Sequence, residues 1–168
     1  MEKVALGGSC YWCMEAIFIS LLGVGRVEQG FVSSKEDTDS FSEAIVVHYH
    51  AADIPLKVLI EIHLHTHKST HRHSRRDTYK SAVYVFSEKQ RLQTNEILNT
   101  LQKNFSEKII TQVLSFESFK FSDEKFHDYY FKNPKKPFCE TYINPKLHKL
   151  REQFTKYTDR DKLKHLSD

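Results

Sequence analysis

The sequence is poor in the residues and patterns that mark specialised chains. Of its 168 residues, only five are glycine and four are proline, which excludes a collagen-like or low-complexity protein. No stretch approaches the roughly 18 apolar residues that a membrane span needs. The N-terminus lacks the basic start and the apolar run of a secretory signal. We therefore expect a cytoplasmic protein that has no membrane partner.

An excess of charge of one sign is also missing. The 25 basic and 22 acidic residues leave a formal net charge of +3. They are interspersed along the chain, so no basic face predicts a nucleic-acid partner. Hydrophobic residues make up 39% of the chain, which is ordinary for a globular protein. At this length we expect one domain around a single core.

Cysteine is scarce, and its placement is informative. Cys10 and Cys13 lie close together and Cys139 lies far away, an odd set that does not indicate a structural disulfide framework. Because Cys10 and Cys13 are about one helical turn apart, their sulfurs can approach and form a disulfide. At the start of a helix, the dipole and the free N–H groups stabilise a nucleophilic thiolate. The spacing alone leaves open two buried structural cysteines, zinc ligation and thioredoxin-like exchange.

Hydrophobic periodicity predicts a mixture of strands and helices. A polar loop, residues 33–42, is expected between the second and third strands. The first helix is predicted to follow a Ser9 cap, which places Cys10 in its first turn. Two further helices are predicted from Pro55 to near His67 and from Ser87 to about Asn104. The predicted strands are short segments rich in β-branched and aromatic residues, at residues 3–6, 26–32, 43–50, 79–86 and 109–114.

The last third of the chain is predicted to be mostly helical. An aromatic helix is expected over residues 123–133, and the prolines that follow indicate an exposed extended segment that carries Cys139. A final helix covers residues 145–157, and the charged tail, residues 158–168, is expected to fray. We expect residues 1–157 to form a single α+β domain with helices on one face of a mixed sheet.

The first cysteines stand in a specific motif. The segment GGSCYWCMEAIF, residues 7–18, closely resembles the G-C-F-W-[GC]-x-E-x-x-F signature of the peptide methionine sulfoxide reductases of the A type. The resemblance extends over most of the chain in the family's order. The later matching blocks are SEAIVV at 42–47, LIEIH at 59–63, YKSAVY at 79–84, YY at 129–130, KNP at 132–134 and INPK at 143–146.

The resemblance implies a ferredoxin-like α/β sandwich with an extended C-terminal segment, and an enzyme that reduces methionine S-sulfoxide, free or in proteins. It makes Cys10 the attacking thiolate and makes Tyr11 and Trp12 the apolar wall that receives the methyl group of the substrate. Glu43 becomes the proton donor to the sulfoxide oxygen, because a carboxyl enclosed by aromatic rings keeps its proton more readily. Tyr79 would hydrogen-bond the same oxygen.

The resemblance also implies how the enzyme is recycled. Attack leaves a sulfenic acid on Cys10, which Cys13 or Cys139 converts to a disulfide. Thioredoxin, or dithiothreitol in vitro, reduces that disulfide, and no bound cofactor or metal is implied. Cys139 can equally be a spectator thiol.

The chain departs from the family pattern at three places. The family's loop with Gly-Gly and Asn-Pro-x-Tyr is replaced by residues 33–42, which contain neither glycine nor tyrosine. Phe41 stands where the family has a histidine, two residues before Glu43. The family's aspartate is replaced near Ser74. Cys10, Glu43 and the other main positions remain, so we expect the reaction class to remain.

Other interpretations of the same residues stay open. His63, His65 and His67 alternate in sequence, but on a helix they point in different directions, so we predict no metal site. Glu43 alone also fits a surface strand, and Trp12 alone fits a core position. The alternative functions are a general thiol-disulfide oxidoreductase and a catalytically weak module that binds oxidised methionine.

Overall fold

In a computed structural model, residues 1–72 and 78–166 are described. Ser74, near the position of the family's aspartate, lies outside them. No helix in these two segments is long and apolar enough to cross a membrane. The strands are β1 (Glu2–Gly7), β2 (Val24–Ser34), β3 (Asp37–Tyr49), β4 (Ala82–Val85) and β5 (Gln112–Phe121). The α-helices are α1 (Tyr11–Ile19), α2 (Leu56–Thr66), α3 (Glu88–Leu101), α4 (Tyr129–Lys132) and α5 (Asn144–Gln153), and a π-helix (Cys139–Ile143) leads into α5.

The five strands form one closed sheet in the order β1-β3-β2-β5-β4. Strand β1 pairs with β3 on one side and with β4 on the other, which closes the sheet. Only β4 and β5 are parallel to each other, so the sheet is mixed, as predicted. The single α+β domain is confirmed. The ferredoxin-like sandwich is not confirmed, because an open sheet with two edges is absent from the described strands.

Alternation along the strands separates two layers of core. On β1, Val4 and Leu6 pack in the larger cluster with the helices, whereas Ala5 belongs to a smaller cluster. The smaller cluster also contains Ala44 and Tyr84, which face the interior of the closed sheet. This period of two is the expected geometry of a strand that is buried on both faces.

The segment between β2 and β3 differs from the prediction. Residues 33–42 were expected to form a loop, but β2 continues to Ser34 and β3 begins at Asp37, so the two strands meet in a tight hairpin. The polar side chains are used within the sheet: the hydroxyl groups of Ser33 and Ser118 lie 2.7 Å apart, and Ser42 donates to the Thr78 carbonyl at 2.8 Å.

Helices α2 and α3 were predicted closely, whereas the single aromatic helix expected over residues 123–133 is wrong. That segment contains a 3-10 helix at Glu124–Phe126 and the short α4. Helix α3 has the expected capping box: the Ser87 side chain accepts from the Gln90 N–H at 3.1 Å, and the Gln90 side chain accepts from the Phe86 N–H at 2.9 Å. Helix α2 spans Leu56–Thr66, within a residue of the predicted range. The last two strands are displaced: β4 is shorter than residues 79–86, and β5 continues well past residue 114.

The expected exposed segment around Cys139 is wrong. Cys139 begins the π-helix, its side chain is fully buried, and Pro137 already has helical geometry. A proline is tolerated in the first turn of a helix because its missing N–H has no partner there. The prolines therefore mark the start of a helical segment instead of a loop.

The charged tail does not fray over its described part. Thr158 forms a bridge with Leu21, and Leu163 and Leu166 are buried in the main core. The His165 ring lies 2.6 Å from the Tyr130 hydroxyl. Residues 158–166 thus contribute apolar side chains to the core of the domain. The high charge of the segment gave no indication of this.

Candidate active site

The turn that carries Cys10 is built on a close approach between β1 and α2. Gly8 follows β1 with a φ of +148°, and a Cβ atom there would meet the His67 ring at 2.5 Å. Only glycine fits this backbone and this contact. The turn is therefore packed directly against the end of α2.

Cys10 itself caps helix α1, one residue later than predicted. Its carbonyl accepts from the Cys13 N–H at 3.1 Å and from the Met14 N–H at 3.2 Å. Cys10 has an extended ψ of 132°, and the buried Ser9 hydroxyl has no hydrogen-bond partner among the described residues. The Cys10 thiol is partly exposed at the N-terminal end of the helix, where a negative charge is favoured.

The thiols of Cys10 and Cys13 lie within hydrogen-bonding reach of each other. This contact, together with burial, raises the pKa of Cys10 well above its usual range. The same contact, aided by the Lys146 ammonium, lowers the pKa of Cys13. The two protons therefore leave in coupled steps that belong to the pair. The thiolate that the sequence predicts on Cys10 stays a prediction.

Glu43 lies at the same end of helix α1. It projects from β3, and its Oε1 atom accepts from the Tyr11 N–H at 3.2 Å. The carboxylate thereby accepts a hydrogen bond from one of the first-turn N–H groups that have no partner within the helix. Its negative charge opposes the ionisation of both thiols and acts to raise the pKa of each.

Tyr11 and Trp12 face different aromatic neighbours. The Tyr11 ring meets the edge of Phe31, with centroids 5.6 Å apart. Trp12 stacks on Tyr129 with centroids 4.0 Å apart and an angle of 7°, and Phe138 meets it edge-on at 5.3 Å. One face of the Trp12 indole is therefore covered by Tyr129. Sequence reasoning assigned Tyr129 and Phe138 no part in the site.

A cleft of about 700 Å³ opens beside the cysteines. Cys10, Cys13 and Tyr79 line it, whereas Glu43 and the two residues of the aromatic wall are not among its lining residues. The structure thus brings Cys10 and Glu43 together at the helix end and places Tyr79 across the cleft. The remaining lining residues come from three segments: Gly8, Ser9, His65, Thr66, His67, Lys68, Phe138, Tyr142, Lys146 and Lys149.

Cys139 lies apart from the opening. Its side chain is 0% exposed, and burial raises the pKa of its thiol. Cys139 and Cys13 belong to the same hydrophobic core cluster.

The histidines of α2 make hydrogen bonds and ring contacts. His63 donates to the Gly7 carbonyl at 2.7 Å, and the His67 ring bonds Ser81 at 2.7 Å. The rings of His63 and His67 stack with centroids 4.2 Å apart, and His65 stacks on Phe105 instead. Within residues 1–72 and 78–166, no group of three or more His, Cys, Asp or Glu side chains could hold a metal ion.

This fold and site define a thiol-dependent oxidoreductase, with a cysteine at a helix start, a second thiol one turn away and a carboxylate at the same helix end. The family model of peptide methionine sulfoxide reductase matches residues 2–158. The chain belongs to the peptide methionine sulfoxide reductase family.

Curated relatives of this family cover nearly the whole chain. The MsrA of Trichodesmium erythraeum is 29% identical over 92% of this chain and 96% of its own length. The MsrA of a Psychrobacter species is 30% identical over 94% of this chain and 98% of its own length.

Solved structures share the fold. Reduced Mxr1 from Saccharomyces cerevisiae has a TM-score of 0.73 at 22% identity, covering 84% of this chain and 90% of Mxr1. Mxr1 in complex with Trx2 has a TM-score of 0.60 at 19% identity, covering 74% of this chain and 82% of Mxr1.

Proposed function

We propose that this chain reduces methionine S-sulfoxide, free or in proteins, to methionine through a sulfenic acid on Cys10. The observation that carries the proposal is the position of Cys10, which caps α1 beside both Cys13 and the Glu43 carboxylate. The family match over residues 2–158 supports the same reaction.

The position of Cys10 at the start of α1 explains how it becomes a nucleophile. The N-terminal end of the helix favours a negative charge, so the Cys10 sulfur attacks the sulfoxide sulfur as a thiolate. The S–O bond of the substrate breaks, and its oxygen passes to Cys10. The sulfoxide is reduced to a thioether and the thiol is oxidised to a sulfenic acid.

Glu43 supplies a proton to the sulfoxide oxygen in this scheme. A sulfoxide oxygen leaves only after protonation, and Glu43 lies at the helix end that Cys10 caps. Tyr79 lines the cleft beside Cys10 and donates a hydrogen bond to the same oxygen. Tyr11 and Trp12 receive the methyl group, and Tyr129 holds the Trp12 ring by stacking on it.

Recycling begins with a disulfide between Cys10 and Cys13. Cys13 is one helical turn away from Cys10. Cys139 is a second thiol, which can exchange with the Cys10–Cys13 disulfide. Thioredoxin reduces the disulfide, an assignment supported by the complex of Mxr1 with Trx2. No bound cofactor enters this cycle.

The proposed catalytic unit is residues 1–157, and the described part of the charged segment that follows packs onto its core. A reducing cytoplasm suits this unit because the cycle starts from free thiols, and all three cysteines are free in the structure. A ferredoxin-like layering of the helices against the sheet stays part of the proposal.

Turnover of dabsylated methionine sulfoxide, first with dithiothreitol and then with thioredoxin, tests the function. We expect reduction with both. Reduction of insulin disulfides without any effect on methionine sulfoxide would instead identify a general thiol-disulfide oxidoreductase. Saturable binding of the sulfoxide without turnover would identify a binding module.

A further inference from the structure

The cleft beside Cys10 carries positive charge. Lys68 follows α2, and Lys146 and Lys149 lie three residues apart on α5, so the two α5 side chains share one face of that helix. Two histidines, His65 and His67, also line the cleft. None of the lining residues within the described part of the chain is acidic.

Two of these lysines are not neutralised by the protein. Lys149 donates to the His65 carbonyl at 3.4 Å, a neutral acceptor. Within the described ranges, neither Lys146 nor Lys149 has a carboxylate within ion-pair distance. Lys146 is partly buried and close enough to Cys13 to influence its charge. A partly buried cation that no carboxylate of the described residues pairs with favours an anion brought by a ligand.

The rest of the lining suits an extended ligand. Tyr142 is 57% exposed and packs on Phe138 with centroids 4.9 Å apart, which adds an apolar wall to the cleft beside the lysines. A volume of about 700 Å³ is in the usual range for a ligand-binding cleft. Cys10 lies in the same lining, so a substrate whose sulfur reaches Cys10 leaves its neighbouring groups in the cleft.

We propose that this cleft binds a carboxylate that the substrate carries next to its oxidised methionine, and that the enzyme therefore favours acidic substrates. The carboxylate comes from a Glu or Asp neighbour in a peptide or from free methionine sulfoxide itself. The inference rests on the proposed function, because it places the sulfoxide at Cys10.

Three matched peptides test the peptide source, with methionine sulfoxide flanked by glutamate, glutamine or lysine and dithiothreitol as the reductant. An exposed ion pair contributes up to about a fivefold factor. With at least two lysines involved, we expect kcat/KM to be roughly five- to twentyfold higher for the glutamate peptide than for the lysine peptide at low salt. The ratio should fall toward one in high salt. Free methionine sulfoxide compared with its carboxamide tests the other source.

Charge variants locate the effect. Lys149→Gln should reduce the glutamate-to-lysine ratio by about threefold, and Lys149→Glu should bring the ratio to about one or below. Lys89→Gln is the matched control, because Lys89 is an exposed lysine on α3 outside this cleft, and the ratio should not change.

Each result decides the inference. A carboxylate preference in either comparison that Lys149→Glu removes supports it. Equal rates on all substrates, or a preference that Lys149→Glu leaves intact, overturn it while the proposed function stands. Variants that impair only thioredoxin-driven cycling would assign the cleft to an acidic protein surface and also overturn it. No turnover of any substrate would refute the proposed function itself, and the inference with it.

Discussion

The order in which the thiols react can be predicted from their burial. Cys13 already faces Cys10 within one helical turn, whereas Cys139 is 0% exposed at the start of the π-helix. We expect that bringing the Cys139 sulfur to Cys10 opens the π-helix and uncovers Ile143, which is also 0% exposed. Exposing one such side chain costs about 1.5–3 kcal/mol. This cost lowers the population that is ready to react by roughly ten- to a hundredfold.

A single-turnover experiment measures this difference. The reduced enzyme receives one equivalent of methionine sulfoxide, the free thiols are alkylated at increasing times, and the disulfides are identified by mass spectrometry. In Cys139→Ser the Cys10–Cys13 disulfide should form at the wild-type rate, and thioredoxin-driven cycling should continue at a reduced rate. In Cys13→Ser one stoichiometric turnover should remain, any Cys10–Cys139 disulfide should form at least about tenfold more slowly, and most cycling should be lost.

Controls for folding make the comparison interpretable. Serine at position 139 places a hydroxyl group in a fully buried site, so Cys139→Ala is the matched replacement that avoids this polar burial. Thermal unfolding of each variant reports any loss of structure. Normal cycling in Cys13→Ser together with arrested cycling in Cys139→Ser and Cys139→Ala would refute the reasoning, and Cys10 would then be found joined to Cys139.

Three further predictions concern the chemical step. Cys10→Ser should abolish reduction of dabsylated methionine sulfoxide, because a hydroxyl group has negligible anion content at neutral pH and forms no sulfenic acid; full activity would show that the nucleophile lies elsewhere. Glu43→Gln should slow the chemical step by about a hundredfold or more while the unfolding temperature stays unchanged, and an unchanged rate would leave Glu43 with only its structural bond to the helix end. Purified epimers should react unequally, with turnover confined to the S form, because a pocket that holds the methyl group at Trp12 and the oxygen at Glu43 and Tyr79 fixes one handedness. Equal rates would contradict that pocket.

Local signals in the sequence identified the helices and the cysteine turn. The capping box of Ser87 and Gln90 is a contact between near neighbours, so its pattern determines where α3 begins. The start of α1 was misplaced by one residue, because Ser9 and Cys10 are adjacent and the sequence pattern does not distinguish which of them caps the helix. Pro137 was misinterpreted for a related reason, since a proline fits both an extended segment and a first helical turn.

The contacts that complete the site were not visible in the sequence. Glu15 on α1 accepts from the Tyr129 N–H at 3.3 Å across 114 residues, and this bond helps to hold Tyr129 against Trp12. Lys146 approaches Cys13 only because α5 packs beside α1. Such contacts depend on the arrangement of elements in space, and no periodicity or cap in a single sequence encodes them.

The closed sheet has a consequence for an enzyme that handles oxidised proteins. Each of the five described strands has a neighbour on both sides. A strand at the edge of an open sheet leaves a row of N–H and C=O groups unpaired, and these attract any extended chain. Oxidation damages packing and exposes extended segments in client proteins. Since each described strand lies between two neighbours, the closed sheet offers such segments no whole strand edge as a template for β-pairing.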